Sequence, residues 1–325
     1  MNLIQLNEND PRQLPFYLAL EEWLALRRPA GDYFFIWQVR PTVIVGRHQM
    51  LEAEVNLDFC RREGIEVYRR KSGGGAVLAD MNNIMFSYVT ASPSEVPVTF
   101  SAYTSMVARS LRALGLDASD NSRNDILISG RKVSGNSYYH MPGRSIVHGT
   151  MLYDCDGDMM ASALTPATAK LRSHGVASVR SRITTIREHL PSLSLPAFKE
   201  HVLATIPDGD IETLTPAEIA EVEMMERSYH DPAWTGGHSP AGTVAHTARI
   251  DGVGTLTAHL TVKGGVVAGF DLTGDYLETA PASQVIAAAL EGCAYSRDAL
   301  SACLAELPSL CIPGLESEDL VNLIY

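Results

Sequence analysis

Residues 69–77 read Arg-Arg-Lys-Ser-Gly-Gly-Gly-Ala-Val, and residues 131–137 read Arg-Lys-Val-Ser-Gly-Asn-Ser. Three consecutive glycines have no Cβ to shield the backbone, so the chain there must turn, and its N–H groups can be approached closely. Successive N–H groups in such a turn form a concavity that binds anions. Two arginines and a lysine lead into the first segment and supply the planar forks and compact charge that suit carboxylate and phosphate. The second segment sets Lys132 at the mouth of another turn of small residues. Together they predict a site for an anionic, phosphate-bearing ligand. Neither Gly-x-x-x-x-Gly-Lys-Ser/Thr nor Gly-x-Gly-x-x-Gly fits the glycine run. A glycine triplet alone is more often a tight turn, and a lone lysine is more often solvated, so the expectation rests on the pair of segments.

The charge balance sharpens this reading. The chain of 325 residues carries 26 Lys and Arg against 38 Asp and Glu, a formal net charge of −12, and its isoelectric point is near 5.3. Such a chain has no general affinity for nucleic acid or for an anionic membrane. Yet Arg61, Arg62, Arg69, Arg70 and Lys71 fall close together. Arg61 and Arg62 read as a solvated helix face, whereas the cations beside the glycines read as ligand contacts. A hydrophobic content of 46% allows a large core, and the length suits two domains. The N-terminus lacks the basic start and apolar run of a signal peptide, and no stretch of about 20 apolar residues is present to span a bilayer, so a cytoplasmic location is expected. Five scattered cysteines form no Cys-x-x-Cys and ten histidines form no His-Glu-x-x-His, so neither a disulfide framework nor a structural zinc is expected.

Apolar spacing predicts a helix over 14–27, and β-branched and aromatic runs predict strands over 33–39 and 42–45. A short helix over 56–63, a strand near 76–78, a strand over 84–89 and a helix over 100–114 ending at Gly115 follow. Three strand-like runs, 126–128, 132–138 and 146–153, are separated by short turns. Residues 198–206 and 216–229 read as helices, and 232–243, rich in Pro, Gly and Ser, reads as a linker. Beyond it, strand-like runs 244–250, 254–262 and 266–272 form a meander, followed by helices over 282–290 and 296–306. The class is therefore α+β, with a largely antiparallel or mixed central sheet and flanking helices over residues 1–231, a linker over 232–243, and a small α+β C-terminal domain over 244–325.

Several of these segments, in order, resemble the lipoate–protein ligase family. Arg69–Val77 followed by Asp80 and Asn83 is similar to the family's ligand loop. Arg123-Asn124-Asp125 with Gly130-Arg131-Lys132-Val133-Ser134-Gly135 is similar to its catalytic lysine segment. His148-Gly149-Thr150-Met151-Leu152, Ser178-Val179-Arg180-Ser181-Arg182 and Val45-Gly46-Arg47-His48-Gln49 resemble three further stretches. The resemblance runs from about residue 30 to 190, and it implies the ligase fold shared with biotin ligases and an accessory C-terminal domain. It also implies two half-reactions. Lipoate attacks the α-phosphate of ATP to give lipoyl-AMP and pyrophosphate. A carrier lysine then attacks that mixed anhydride to give an amide and AMP. Lys132 would be the catalytic cation. Arg70, Ser72, Gly73, Gly74, Gly75, Ala76, Val77, Asn83, Ser134, Gly135, His148 and Gly149 would contact lipoate or ATP, and Asp125 would be a Mg²⁺ ligand. Bland readings stand beside several: Asp125 as a turn residue, Asn83 as a loop cap, His148 as a core histidine. Val45, Val77, Gly135 and Tyr138 are candidate walls of an apolar slot for the lipoyl tail.

Three departures from the family pattern bear on substrate choice. Ala79 precedes Asp80 where the family usually has His. Asn82 precedes Asn83 where it usually has Gly. Asn136-Ser137-Tyr138-Tyr139 replaces Ser-Ala-Tyr-Arg. Losing a histidine and an arginine near the site would alter the preferred acyl chain or nucleotide. The implied partners are lipoyl domains of 2-oxoacid dehydrogenase acyltransferase subunits and the glycine-cleavage H protein, with the enzyme acting as a monomer. One alternative is an ATP-independent octanoyl or lipoyl transferase of the same fold. It would need a cysteine nucleophile, and none lies between Cys60 and Cys155. Another is a non-catalytic protein that binds a lipoyl adenylate or a carrier domain. A biotin ligase is disfavoured, because its Gly-Arg-Gly-Arg-type loop is absent.

Overall fold

A computed structural model describes residues 1–6, 11–49, 51–91, 96–120, 124–164, 182–236, 244–263, 266–305 and 307–325. Arg123, Ser178–Ser181 and the 237–243 part of the expected linker lie outside the described residues. The chain divides into two compact units. One comprises Met1–Ile44, Glu52–Arg70 and Val77–Thr235; the other comprises Val45–Leu51, Lys71–Ala76 and Gly236–Tyr325. The sequence reading placed the catalytic lysine segment and the glycine loop in one domain, whereas the loop's contacts group it with the C-terminal unit.

The first unit is built on an eight-stranded mixed sheet. Its strands are β1 (Asn2–Gln5), β2 (Tyr33–Trp37), β6 (Ile84–Val89), β7 (Ala118–Ser119), β8 (Asp125–Ile128), β9 (Arg131–Met141), β10 (Arg144–Met151) and β11 (Ile211–Thr213). The order across the sheet is β11-β1-β2-β6-β10-β9-β8-β7. β11, β1 and β2 run parallel, and the remaining pairs are antiparallel. A smaller sheet joins β3 (Thr42–Val45) to β4 (Glu66–Arg69) and β5 (Val77–Ala79). The helices that cover the large sheet explain the continuous apolar run of β2. Tyr33, Phe35 and Trp37 point to one face and join the core around α1 (Leu14–Arg27). Phe34 points to the other face and meets Phe86 edge-on. With both faces covered, a strand needs apolar side chains at every position rather than at alternate ones.

The helix α1 is buried from Leu14 to Ala25, so its sequence shows little amphipathic contrast. Pro15 sits in its first turn, where the missing N–H has no intrahelical partner to lose. Its C-terminal carbonyls are met from outside. Arg144, itself buried, donates from Nη1 to Leu24 O at 3.3 Å and from Nη2 to the carbonyls of Arg28 and Pro29. Its guanidinium also lies over the Tyr33 ring. A cation there adds a donor to carbonyls at the helix end, of which Leu24 O also accepts from Arg28 N and Pro29 O from the Tyr33 hydroxyl, and opposes the negative end of the helix dipole.

The C-terminal unit carries an antiparallel meander, β12 (Val244–Ile250), β13 (Gly254–Lys263) and β14 (Val266–Gly274). Helices over Ala282–Leu290, Arg297–Leu304, Leu307–Cys311 and Ser317–Ile324 cover one face. Leu256, Leu260, Leu272, Ile286, Leu300 and Leu320 form its separate core. The expected meander is therefore present. The expected linker is not irregular at its start: Pro232–Gly236 is a short helix, because Pro is well placed in a first turn and Trp234 anchors it by donating from Nε1 to Arg69 O at 2.9 Å. No helix among the described residues is long and apolar enough to cross a membrane.

Replacing Arg144 by Ala leaves three helix-end carbonyls without their buried donor. The expected loss is about 2–3 kcal/mol of stability, read as a fall in thermal midpoint. Arg144→Lys should recover little of it, because one ammonium cannot reproduce the planar fork.

Candidate active site

The hairpin β8–β9 carries Lys132. Its turn is two residues long, Ser129 and Gly130, and both have positive φ, 49° and 79°. That pairing matches the right-handed twist of the flanking strands and keeps the hairpin tight. The register then slips by one: Ile126 faces Ser134 while Leu127 faces Lys132. Val133 is the extra residue, a bulge that turns the neighbouring side chains. The bulged backbone stays bonded, since Leu152 N donates to Val133 O and Thr184 N donates to Lys132 O.

The bulge brings Lys132 back over its own strand. Lys132 Nζ lies 2.8 Å from Asp125 Oδ1, and Asp125 faces Gly135 across the ladder. A Cβ on Gly135 would sit 2.6 Å from that ammonium. Glycine at 135 is therefore required by the lysine that crosses it. Thr150 on β10 braces the same point, its Oγ1 accepting from Gly135 N at 3.2 Å. Ser134 is buried, and its hydroxyl donates to Asn136 Oδ1. Lys132 and Asp125 remain partly exposed, at 36% and 27%, so the pair is open to a ligand. Among the described residues no three of His, Cys, Asp and Glu converge.

His148 and Gly149 lie on β10. His148 Nδ1 is 2.9 Å from Glu21 Oε2, and both residues are buried. Ser87 also donates to Glu21, and Trp37 Nε1 donates to Ser87 Oγ. The core-histidine reading describes this placement, with a carboxylate partner that the sequence reading did not name. The clue was present in the sequence, since Glu21-Glu22 interrupts an otherwise apolar helix. Tyr139 stands where the family pattern has arginine, and it lies among Tyr229, Glu21 and Glu22. Burial in that company pushes its hydroxyl well above the ordinary tyrosine range.

Asn83 is a clamp in this structure. Its Nδ2 donates to Asp80 Oδ1 at 2.7 Å, and its Oδ1 accepts from Tyr153 N at 3.0 Å. Arg70 is buried with 5% exposure and donates from Nη1 to Ile44 O. Burial, with the charge of Arg69 added, lowers its pKa to about 10, so it stays a cation at neutral pH. Arg69 is a pinning residue whose Nε donates to Thr235 O. Val77 pairs with Ile44. Cys155 has its thiol pushed up to about 11 by burial and then by Asp80, Glu188, Asp154 and Asp156.

The glycine loop belongs to the C-terminal unit, together with Gly46–Gln49. Gly74 has φ of +84° and its N–H donates to Tyr276 O at 2.8 Å. A Cβ on Gly73 would sit 2.1 Å from the same carbonyl, and one on Gly46 would sit 1.9 Å from Gly74 O. Arg47 N donates to Ser72 O. His48 stacks on the Tyr276 ring and lies 2.9 Å from Glu278. Close backbone approach therefore accounts for Gly46 and Gly73, and the positive φ accounts for Gly74. Gly75 is different: nothing approaches its missing Cβ nearer than 3.9 Å. Ser72 is buried, and Ala76 closes the loop half-buried.

Gly135→Ala separates fold from chemistry. The clash falls on the far end of a flexible lysine, so stability should stay within about 1 kcal/mol. The lysine must move, and misplacement on the ångström scale is expected to lower turnover about a hundredfold. Thermal unfolding and steady-state rates on one sample check both.

Known proteins match both parts of the chain. The family model "Lipoyl protein ligase A/B catalytic domain" matches residues 13–207, and "Bacterial lipoate protein ligase C-terminus" matches residues 239–324. The lipoate-protein ligase LplJ of Bacillus subtilis is 32% identical over 98% of both chains. A solved bi-partite lipoate protein ligase of Thermoplasma acidophilum, described with its E2 lipoyl domain, is 26% identical with a TM-score of 0.66, over 75% of this chain and 98% of that one. A lipoate-protein ligase A solved with bound ATP is 25% identical with a TM-score of 0.63, over 73% and 98%.

Proposed function

The chain belongs to the lipoate–protein ligase family, and on that premise we propose that it activates lipoate with ATP and transfers the lipoyl group to a lysine of a carrier domain. The observation that carries this reading is the Asp125–Lys132 pair, held over Gly135 by a bulge and open to solvent. A cation fixed by a carboxylate and a bulged strand does not have to reorganise when charge develops on a carbonyl or phosphate oxygen. Such preorganised charge is the largest single contributor to many rate enhancements. Lys132 would hold the α-phosphate or the acyl carbonyl oxygen.

The remaining roles follow the same chemistry. Arg70 would hold the carboxylate or a phosphate, since burial does not discharge it at neutral pH. The Gly73–Gly75 backbone, with Ser72 and Ala76, would cradle phosphate. Of the three, Gly75 is the glycine whose lack of a side chain neither packing nor a positive φ requires. The ligand contacts expected of Val77, Asn83, Ser134, Gly135, His148 and Gly149 belong to the same reading. Asn83 and His148 would, besides, fix the turn and strand that carry them. Mg²⁺ suits Asp125. A lone carboxylate is what an ion taking its other oxygens from phosphates and water needs, and the ion would neutralise phosphate charge there. Acceptor proteins would be lipoyl domains of 2-oxoacid dehydrogenase acyltransferases or the H protein, met in the cytoplasm by a monomeric enzyme.

Cys155 weighs against the transferase alternative. A thiol with a pKa of about 11 is ionised to roughly one part in ten thousand at pH 7, and the thiolate is the nucleophile. The non-catalytic alternative leaves the Lys132–Asp125 geometry without a task.

The test is intact-mass analysis of an apo lipoyl domain incubated with the protein, lipoate, ATP and Mg²⁺. The expected result is a lipoyl mass shift that needs ATP and is lost with EDTA. Lys132→Ala should remove it, by at least about a hundredfold, while circular dichroism stays unchanged. A shift without ATP would instead establish the transferase. No shift with folded protein on either carrier type would leave only the binding role. An octanoate arm measures how far Ala79 and Tyr139 have altered acyl choice.

A further inference from the structure

Asn136 occupies a position where the family pattern has serine, and it makes four hydrogen bonds, two from its backbone and two from its longer amide side chain. Its N–H donates to Asn124 O at 2.9 Å, and its Nδ2 donates to the same carbonyl at 3.0 Å. Its carbonyl accepts from Asn124 Nδ2 at 3.1 Å, and its Oδ1 accepts from Ser134 at 3.2 Å. Asn136 is buried. Across the sheet it faces Gly149, where a Cβ would sit 1.8 Å from Asn136 Oδ1. The second glycine of interest on these strands is thus explained by the asparagine opposite, as Gly135 is explained by the lysine.

The placement of this clamp gives it a consequence. β8 begins at Asp125, and Asn124 lies one residue outside it. On β9, Asn136 lies one residue beyond Gly135, the partner of Asp125. The bulge fixes the Asp125–Gly135 rung from one side, and the two asparagines fix it from the other. An amide side chain suits this task because it donates and accepts at once. Aspartate would lack the donor.

We propose that Asn136, acting with Asn124, is a positioning residue that holds Asp125 and Gly135 in the register that aims Lys132. It touches no reacting atom, and it acts only through the lysine. The inference rests on Lys132 being the catalytic cation.

Steady-state ligation kinetics on Asn136→Ala and Asn124→Ala test it, with lipoate, ATP, Mg²⁺ and an apo lipoyl domain. The expected result is a kcat lower by about ten- to a hundredfold, with KM for lipoate and ATP within about twofold, because aim is lost and ground-state binding is not. The double variant should be no slower than the worse single, since both break one clamp. Gly149→Ala displaces the Asn136 amide without removing it and should lower kcat likewise, which keeps the test alive if Asn136→Ala fails to fold. Added to Lys132→Ala, Asn136→Ala should slow the residual rate no further. A raised KM at normal kcat would overturn the proposal, because Asn136 would then be binding ligand. So would normal kinetics in all three variants, or a further slowing in the Lys132→Ala background. Those outcomes leave the ligase reading intact if Lys132→Ala alone is inactive. If Lys132→Ala is active, the reading of Lys132 fails first and this inference fails with it.

Discussion

Glu21 and Glu22 lie in a helix buried on all sides, and the first unit is arranged to meet two carboxylates that cannot reach water. An unpaired charge there would cost several kcal/mol. Glu21 is met by His148 from β10 and Ser87 from β6, and Ser87 is held in turn by Trp37 from β2. Glu22 is met by the hydroxyl of Tyr229, which stands beside Tyr139 from β9. One helical turn thus bonds directly to β6 and β10 and, through Ser87 and Tyr229, reaches β2 and β9. A register slip of one residue in β6 or β10 would swing Ser87 or His148 to the opposite face and leave Glu21 short of a partner. The strands that carry Lys132, Ser134 and His148 are therefore fixed against one another by the need to satisfy carboxylates that take no part in the proposed chemistry.

Much of this fold was legible in the sequence, because it rests on period and punctuation. The helix over 14–27 and the strands β2, β3 and β6 follow from apolar runs, and the hairpin turn follows from Ser129-Gly130 between alternating residues. The joint motif pattern identified the family. What escaped was information carried between distant residues. His148 looked equally like a ligand contact and a core residue until Glu21, 127 positions away, was found beside it. The bulge at Val133 has no local signature, since it arises from competition between two ladders for the same strand. The early part of the linker formed a helix because Trp234 finds Arg69 O, a contact that local composition does not contain.

The glycines illustrate the same division. A sequence motif treats them alike, yet physically they differ. Gly74 is needed for a positive φ, and Gly46 and Gly73 for close backbone approach. Gly135 clears the path of a lysine, and Gly149 clears that of an asparagine. A substitution at any of them can abolish function, but by different routes. For Gly73 it would disturb packing against Tyr276; for Gly135 it would disturb only the aim of a cation. Loss of activity alone cannot distinguish a ligand-contacting glycine from one that packs. Gly75, where an added Cβ would meet nothing nearer than 3.9 Å, is the position where that distinction is cleanest.

Charge brings the two scales together. At −12 overall, the protein repels anions such as ATP and lipoate when they are far away. At physiological ionic strength that repulsion is screened within about 8 Å, so capture is decided by the few cations at the site. Arg70 is buried and still charged at neutral pH, and Lys132 is half-open and paired. These two environments suit different tasks. A desolvated arginine gains strongly from a carboxylate or phosphate that replaces its lost water. An exposed lysine held by Asp125 binds a resting anion weakly, because the carboxylate competes for it. Its attraction grows when the ligand's negative charge grows. A cation that is partly neutralised in the ground state and more fully engaged in the transition state lowers the barrier rather than deepening the bound state. On the proposed reading Asp125 would do more than orient Lys132, since it would also keep ATP from being held too tightly before the reaction begins.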